Sequence, residues 1–205
     1  MAALFILAGY LAGSLPFGYW VVRGFKGVDI RTVGSGNIGA TNVWRTFGPK
    51  YGLPVALLDT AKGFAPALAA TLISGHLWGV LAGAAAMAGH WRPVFLRFAK
   101  GGKMVATCGG AFLGTAPLVG AVGAAVWILV FVVLRYASVA SLAAGAALPL
   151  ASWLLGYPWP VTAFACAAFL VILVLHRANI RRLAAGTESR FHFRRRNGEP
   201  APLVQ

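Results

Sequence analysis

Residues 104–134 read MVATCGGAFLGTAPLVGAVGAAVWILVFVVL, and the number of times this run crosses a membrane decides the fold. It carries no charge over its 31 residues. As one helix rising about 1.5 Å per residue it would be about 46 Å long, too long for a hydrocarbon core of about 30 Å. "GTAP" at 114–117 offers a turn. Charge asymmetry supplies the decision. Apart from Lys62, inside an apolar run, Lys and Arg fall at 23, 26, 31, 45 and 50, at 92, 97, 100 and 103, at 135, and at 177, 181, 182, 190, 194, 195 and 196. The connections "SGH" near 75, "GTAP" and "GYPWP" at 156–160 hold no Lys or Arg. The positive-inside rule therefore puts the N-terminus outside and the C-terminus in the cytoplasm, with Lys103 and Arg135 on the same side. The run must cross twice, turning at "GTAP". Both halves are short, which fits a locally thinned bilayer or a partly re-entrant pair.

Composition agrees with a membrane chain: 59% of residues are apolar, only 11% are charged, and the mean hydropathy is +0.76. Helical apolar runs cover 2–22, 53–74, 76–91, 104–115, 117–134, 138–156 and 159–176. The expectation is an all-α polytopic protein, one membrane domain over 1–205 with seven spans. It has a cytoplasmic polar loop at 24–51 and a disordered tail at 196–205. The first run lacks a basic n-region and has Arg23 and Lys26 behind it, so it reads as a retained span rather than a cleaved signal. A net charge of +14 is distributed between apolar runs rather than on a soluble face, which points to lipid headgroups or an anionic substrate and away from nucleic acid. Cys108 and Cys166 lie in apolar segments without metal or redox spacing and read as small core residues.

The polar residues gather in a few clusters. "GSGNIGATNVWR" at 34–45 interleaves glycines with short donors, Ser35, Asn37, Thr41 and Asn42, and ends in Arg45, whose planar fork suits phosphate. No Walker loop or dinucleotide fingerprint is present. In "LLDTAKGFAP", Asp59 and Lys62 stand three apart on one helical face inside an apolar run. A lone charge at mid-bilayer costs about 2.5–3.5 kcal/mol, so the pair must face protein or water. A structural ion pair and a substrate contact fit Lys62 equally. "KGGK" at 100–103 precedes a span; Lys100 and Lys103 supply cations, and Gly101 and Gly102 are expected to expose amides at a helix N-terminus, making an anion site. His90 ends its run at the same interface, where a capping and a functional role fit equally. "RYASVAS" places Ser138 and Ser141 three apart, and "HRANIRRLAAGTE" places His176 and Asn179 on one face, followed by Arg181, Arg182 and Glu188. A serine in a membrane helix often bonds back to its own backbone. The residues alone describe a cationic, glycine-rich, cytoplasm-facing pocket for an anion carrying phosphate, which an enzyme or a transporter of phosphorylated metabolites would share. A transporter places its site near the midplane and leaves polar residues toward both sides. Here the outer connections hold almost nothing ionisable except His76.

In this order the blocks "GSLPFGYW", "DIRTVGSGNIGATNVWRTFG", "LLDTAKG", "GHWRPVFLRFAKGGKMVAT", the S-x-x-S after Arg135 and "HRANIRRLAAGTE" resemble the bacterial acyl-phosphate:glycerol-3-phosphate acyltransferases. The resemblance implies a seven-span cell-membrane (inner-membrane) enzyme of phospholipid synthesis with its active site facing the cytoplasm. It implies attack of the 1-hydroxyl of glycerol 3-phosphate on a long-chain acyl phosphate, giving 1-acyl-glycerol 3-phosphate and inorganic phosphate, without a cofactor or metal. Ser35, Gly36, Asn37, Thr41, Asn42 and Arg45 would bind phosphate, with Lys100 and Ser138 beside them. Lys103 and the Gly101 and Gly102 amides would neutralise a second phosphate or an oxyanion. Ser141, His176 and Asn179 would orient the hydroxyl, with Asp59, Lys62, His90 and Glu188 in support. Either His176 or the leaving phosphate takes the proton. The family pattern is K-G-G-K-G, whereas Met104 follows Lys103 here. Methionine suits a helix interior, so the helix is expected to begin a residue early, and the side chain to crowd a phosphate. The H-x-x-x-x-D pattern of acyl-CoA-dependent enzymes is absent, since Leu81, Phe95, Arg181 and Asn197 stand five after the histidines.

Overall fold

The computed structural model describes residues 2–191; the expected tail at 196–205 lies outside them. Among these residues there are helices, turns and loops and no strand. Helix α1 (Ala2–Gly13) and α2 (Phe17–Lys26) divide the first apolar run, because Pro16 cannot donate to a continuing helix. Together, as 3–26, they are long and apolar enough to cross a membrane. The loop at 24–51 contains α3 (Ala40–Phe47), and α4 (Pro49–Ser74) follows after Gly48. Then come α5 (His76–Trp91), α6 (Val105–Thr115), α7 (Pro117–Leu134), α8 (Ala137–Leu154), α9 (Trp159–Leu175) and α10 (Arg177–Ala184).

α4, α7 and α8 are also long and apolar enough to cross a membrane, and α9 with α10 adds another if this pair, bent by 59°, is one span. α6 has only 11 residues. The 104–134 run does break at "GTAP": α6 ends at Thr115, and Pro117 opens α7, where its missing N–H costs no helical hydrogen bond. Gly75 likewise parts α4 from α5 at φ 88°, and Gly156 turns the chain between α8 and α9 at φ 69°.

Short connections between packed neighbours make these helices antiparallel. The junctions at 75, 116 and 155–158 therefore gather at one end of the bundle. The segments 27–48, 92–104, 135–136 and 176–191 gather at the other, and every polar cluster of the sequence except the Asp59–Lys62 pair lies in or beside them, His90 included.

Glycine lets the helices touch. A side chain at Gly63 would overlap the Thr107 carbonyl, and one at Gly110 the Thr60 carbonyl, so α4 and α6 meet backbone to backbone. Leu129, Val132 and Val133 of α7, Trp153 and Leu154 of α8 and Leu170 and Val174 of α9 point outward, as a lipid-facing surface requires. Cys108 is buried, but Cys166 is exposed on that surface and is not a core residue.

Candidate active site

The site forms where α9 ends. His176 caps the helix at φ −98° and ψ 5°, and the chain turns into α10. Its Nδ1 lies 2.9 Å from the Ile172 carbonyl. A carbonyl can only accept, so Nδ1 carries the proton in this contact, and in the neutral ring Nε2 keeps its lone pair. Past α10, Gly186 adopts φ 69°, and the Thr187 and Glu188 amides both bond to the Arg182 carbonyl, turning the chain back over its own helix.

That return brings Glu188 to the centre. Its Oε1 accepts from Ser138 Oγ and from Asn179 Nδ2, both at 2.7 Å, and its Oε2 accepts from Arg182 Nε at 2.7 Å. Asn179 Oδ1 accepts from Lys103 Nζ. One carboxylate thus joins α8, α10 and the loop before α6. Burial alone would raise the Glu188 pKa, but these donors outweigh it and hold the carboxyl below its usual range. Lys103 is pushed down to about 8, chiefly by burial and then by the charge of Arg182, with Lys100 and Arg45 adding to it and Glu188 opposing. Lys103, Arg45 and Arg182 therefore share one carboxylate, Lys100 adds to the positive charge at Lys103, and the surplus asks for an anion.

Arg45 enters from α3. Its guanidinium has one long contact, 3.5 Å, to the Ser189 carbonyl, and its Nε is buried without a protein acceptor. Burial lowers its pKa from the ordinary arginine value, yet a guanidinium stays charged at any physiological pH. The guanidinium thus keeps donors that no protein acceptor fully occupies. Downstream, Phe191 N–H bonds to the Arg135 carbonyl at 2.7 Å, and its ring meets Trp44 and Phe131 with centroids 5.8 and 5.1 Å apart. The strap 186–191 is thereby fastened to α3 and α7.

Several expected roles change. Asn42 is buried, and its amide is occupied within the loop: Nδ2 donates to the Val33 and Asn37 carbonyls at 3.1 and 2.9 Å, and Oδ1 accepts from Ser35 N at 2.9 Å. Asn37 Oδ1 accepts from Gly39 N at 2.7 Å. Asn42 ties the loop around Gly34 and Gly36, which both have positive φ, and so sets the start of the helix that carries Arg45. Ser35 stays exposed at the tip and Thr41 half-buried on α3.

The Gly101 and Gly102 amides do not form an open anion nest. They donate to the Trp91 and His90 carbonyls at 2.8 and 3.0 Å, satisfying the last turn of α5. The glycines serve close packing instead, for a side chain at either position would overlap the end of α5. Lys100 is exposed beside them. Ser141 Oγ donates to the Ala137 carbonyl at 2.7 Å and accepts from Trp127 Nε1 at 3.2 Å, so this hydroxyl fastens α8 to α7. Met104 does not begin a helix: it sits at the N-cap of α6 with φ 67°, and its side chain is in the main core cluster, clear of the cation site. Asp59 and Lys62 form a buried ion pair of 2.7 Å, which favours the structural reading of Lys62. Arg182, which the sequence placed in the last polar cluster without a role, binds Glu188, and the Trp44, Trp127 and Phe191 rings pack around the site although they were not among the candidates. Only the chain reversal at Gly186 brings Arg182 against Glu188.

Cations and hydroxyls drawn to one end of an apolar helical bundle, with one carboxylate to organise them, make a site of the class that suits an anionic substrate. The comparisons give the family. The glycerol-3-phosphate acyltransferase family model matches residues 3–186. A glycerol-3-phosphate acyltransferase of Desulforudis audaxviator is 48% identical over 192 residues, covering 94% of this chain and 96% of the relative. That of Aquifex aeolicus is 45% identical, covering 93% and 100%. Crystal structures of PlsY (YgiH), an integral membrane glycerol 3-phosphate acyltransferase, superpose with TM-scores of 0.88 for the glycerol 3-phosphate form and 0.86 for the lysophosphatidic acid form. They are 43% and 42% identical, covering 93% and 94% of this chain and 96% of each relative. The chain belongs to the glycerol-3-phosphate acyltransferase family and is an integral membrane enzyme.

Proposed function

We propose that this enzyme takes its acyl group from a long-chain acyl phosphate rather than from acyl-CoA. The 1-hydroxyl oxygen of glycerol 3-phosphate attacks the carbonyl carbon, the bond from that carbon to the phosphate oxygen breaks, and phosphate leaves with the electron pair. The products are 1-acyl-glycerol 3-phosphate and inorganic phosphate, the opening step of phospholipid synthesis. A mixed anhydride has a good leaving group, so no covalent Ser or Cys intermediate is demanded. What is demanded is that two phosphates be held side by side. The surplus of cations around Glu188 supports the holding of two phosphates, and the absence of the H-x-x-x-x-D pattern supports the choice of donor.

In this reading Arg45 and the exposed Ser35 tip bind one phosphate, with Gly36 giving the loop its bend and Asn37, Thr41 and Asn42 holding its shape. Lys103 faces the other phosphate and the oxyanion, supported by Lys100. Asn179 and Ser138, held by Glu188, position Lys103 and the attacking hydroxyl, while Ser141 acts through the α7–α8 contact. The leaving phosphate takes the hydroxyl proton, and His176 shapes the pocket with its Nε2 toward substrate. No metal is required. The seven apolar runs are spans, with the N-terminus outside and the site facing the cytoplasm in a bacterial inner membrane. The clustering of Lys and Arg at one end of the bundle supports this orientation.

The test is Arg45→Ala and Lys103→Ala in purified protein. Each is expected to lower kcat/KM by about 10²–10³-fold, the loss typical of one electrostatic donor to a developing charge. Normal turnover by either variant would contradict its assignment.

A further inference from the structure

Behind the cation site lies a polar group that the reaction does not use. Asp59 and Lys62 of α4 and His90 of α5 are all more than nine-tenths buried. Lys62 pairs with Asp59, donates to the Leu15 carbonyl at 2.8 Å and stands over the Phe17 ring. It thus ties α4 to the break between α1 and α2. Asp59 Oδ1 lies 3.7 Å from His90 Nδ1, so one edge of the imidazole faces the carboxylate. The opposite edge faces Gly102, where any side chain would overlap Nε2. The His90 carbonyl meanwhile accepts the Gly102 N–H, and the neighbouring Trp91 carbonyl that of Gly101. Ring and backbone of one residue therefore hold the residue preceding Lys103.

We propose that His90, seated on the Asp59–Lys62 pair, is a positioning residue that fixes the origin of the Lys103 side chain through Gly102. Three facts converge on this. At Gly102 the loop crosses the imidazole edge, and a hydrogen there is all the space allows. The loop amides that could drift are bound to the end of α5. Lys103 then reaches Asn179 on a different helix, so a shift of the loop is transmitted to the ammonium rather than absorbed. Misplacing a charged group by about 1 Å costs about 10²-fold in rate. His90 does this without touching substrate, since its nitrogens face Asp59 and Gly102. The proposal rests on Lys103 acting in the reaction.

The experiment is a double-mutant cycle on kcat/KM for glycerol 3-phosphate, with whichever acyl donor supports turnover and with melting temperature recorded for each protein. His90→Gln and Gly102→Ala are each made in the wild type and in Lys103→Ala. Each is expected to lower kcat/KM by about 100-fold in the wild type and by no more than about threefold in Lys103→Ala, which has no ammonium left to misplace. If His90→Gln does not fold, Gly102→Ala, which pushes the loop off the same ring edge, carries the test. An impaired Lys103→Ala together with equal losses in both backgrounds, or with no loss in either, would overturn the positioning role alone. A fully active Lys103→Ala would instead contradict the site assignment and take the proposal with it.

Discussion

Lys103 donates its ammonium to Asn179, and Asn179 donates onward to Glu188 at 2.7 Å, so a cation before α6 is set by a carboxylate beyond α10. The relay runs through an amide that has both a carbonyl and an NH₂ to offer. Asn179→Asp keeps the first contact and turns the second into a repulsion between carboxylates. It is expected to lower kcat by about 10-fold or more while leaving the helices intact, read by steady-state kinetics beside circular dichroism.

The pH profile follows from Lys103. Its pKa in the unliganded protein is about 8, below that of an ordinary lysine, and the protonated form is the one that faces an anion. Activity in kcat/KM should therefore fall as pH rises through about 8. Bound phosphate favours the ammonium, so the same limb in kcat should lie higher. For stability the sign is the reverse of the usual salt-bridge case. Between about 8 and the unfolded value the unfolded chain binds more protons, so this group's contribution to stability rises with pH there.

Glu188 titrates the other way. Its folded pKa is depressed, so the stability it contributes is present above the unfolded carboxylate value and is lost as pH falls through the folded one. Glu188→Ala removes the acceptor of three side chains and should cost about 1–3 kcal/mol, seen as a lower melting temperature and faster proteolysis between α10 and the strap.

Asp59→Ala leaves the Lys62 ammonium buried with only a carbonyl, and such a break typically costs about 3–5 kcal/mol. Replacing both partners, Asp59→Leu with Lys62→Met, should restore most of the melting temperature. If the single and double variants melted alike, the pair would not be the structural unit described.

The helices and the polar loop were legible because hydropathy and glycine spacing are local. Gly34, Ser35 and Gly36 announce a bend, and Pro117 announces the break in 104–134. What could not be read depends on partners far along the chain. Gly101 and Gly102 look like an anion nest until the end of α5 is seen to take their amides, and for Ser141 the back-bond to Ala137 is local, but the Trp127 contact that fastens it to α7 is not. Met104 misled for a different reason. Helix propensity favours it in a helix, but the loop needs a left-handed residue there, φ 67°, which glycine meets without strain. Methionine carries about 1–2 kcal/mol of strain at such a φ, against about 1.5–3 kcal/mol gained by burying its side chain. Met104→Gly should accordingly leave the melting temperature within a few degrees, whereas Met104→Ala, which keeps the strain and loses the packing, should lower it further.

Donor choice tests the central claim most directly. The purified chain is supplied with glycerol 3-phosphate and either palmitoyl phosphate or palmitoyl-CoA, and released inorganic phosphate and lysophosphatidic acid are followed together. The account predicts equimolar phosphate and lysophosphatidic acid from palmitoyl phosphate and no turnover with the CoA ester. Turnover with palmitoyl-CoA alone, or with neither donor, would contradict it.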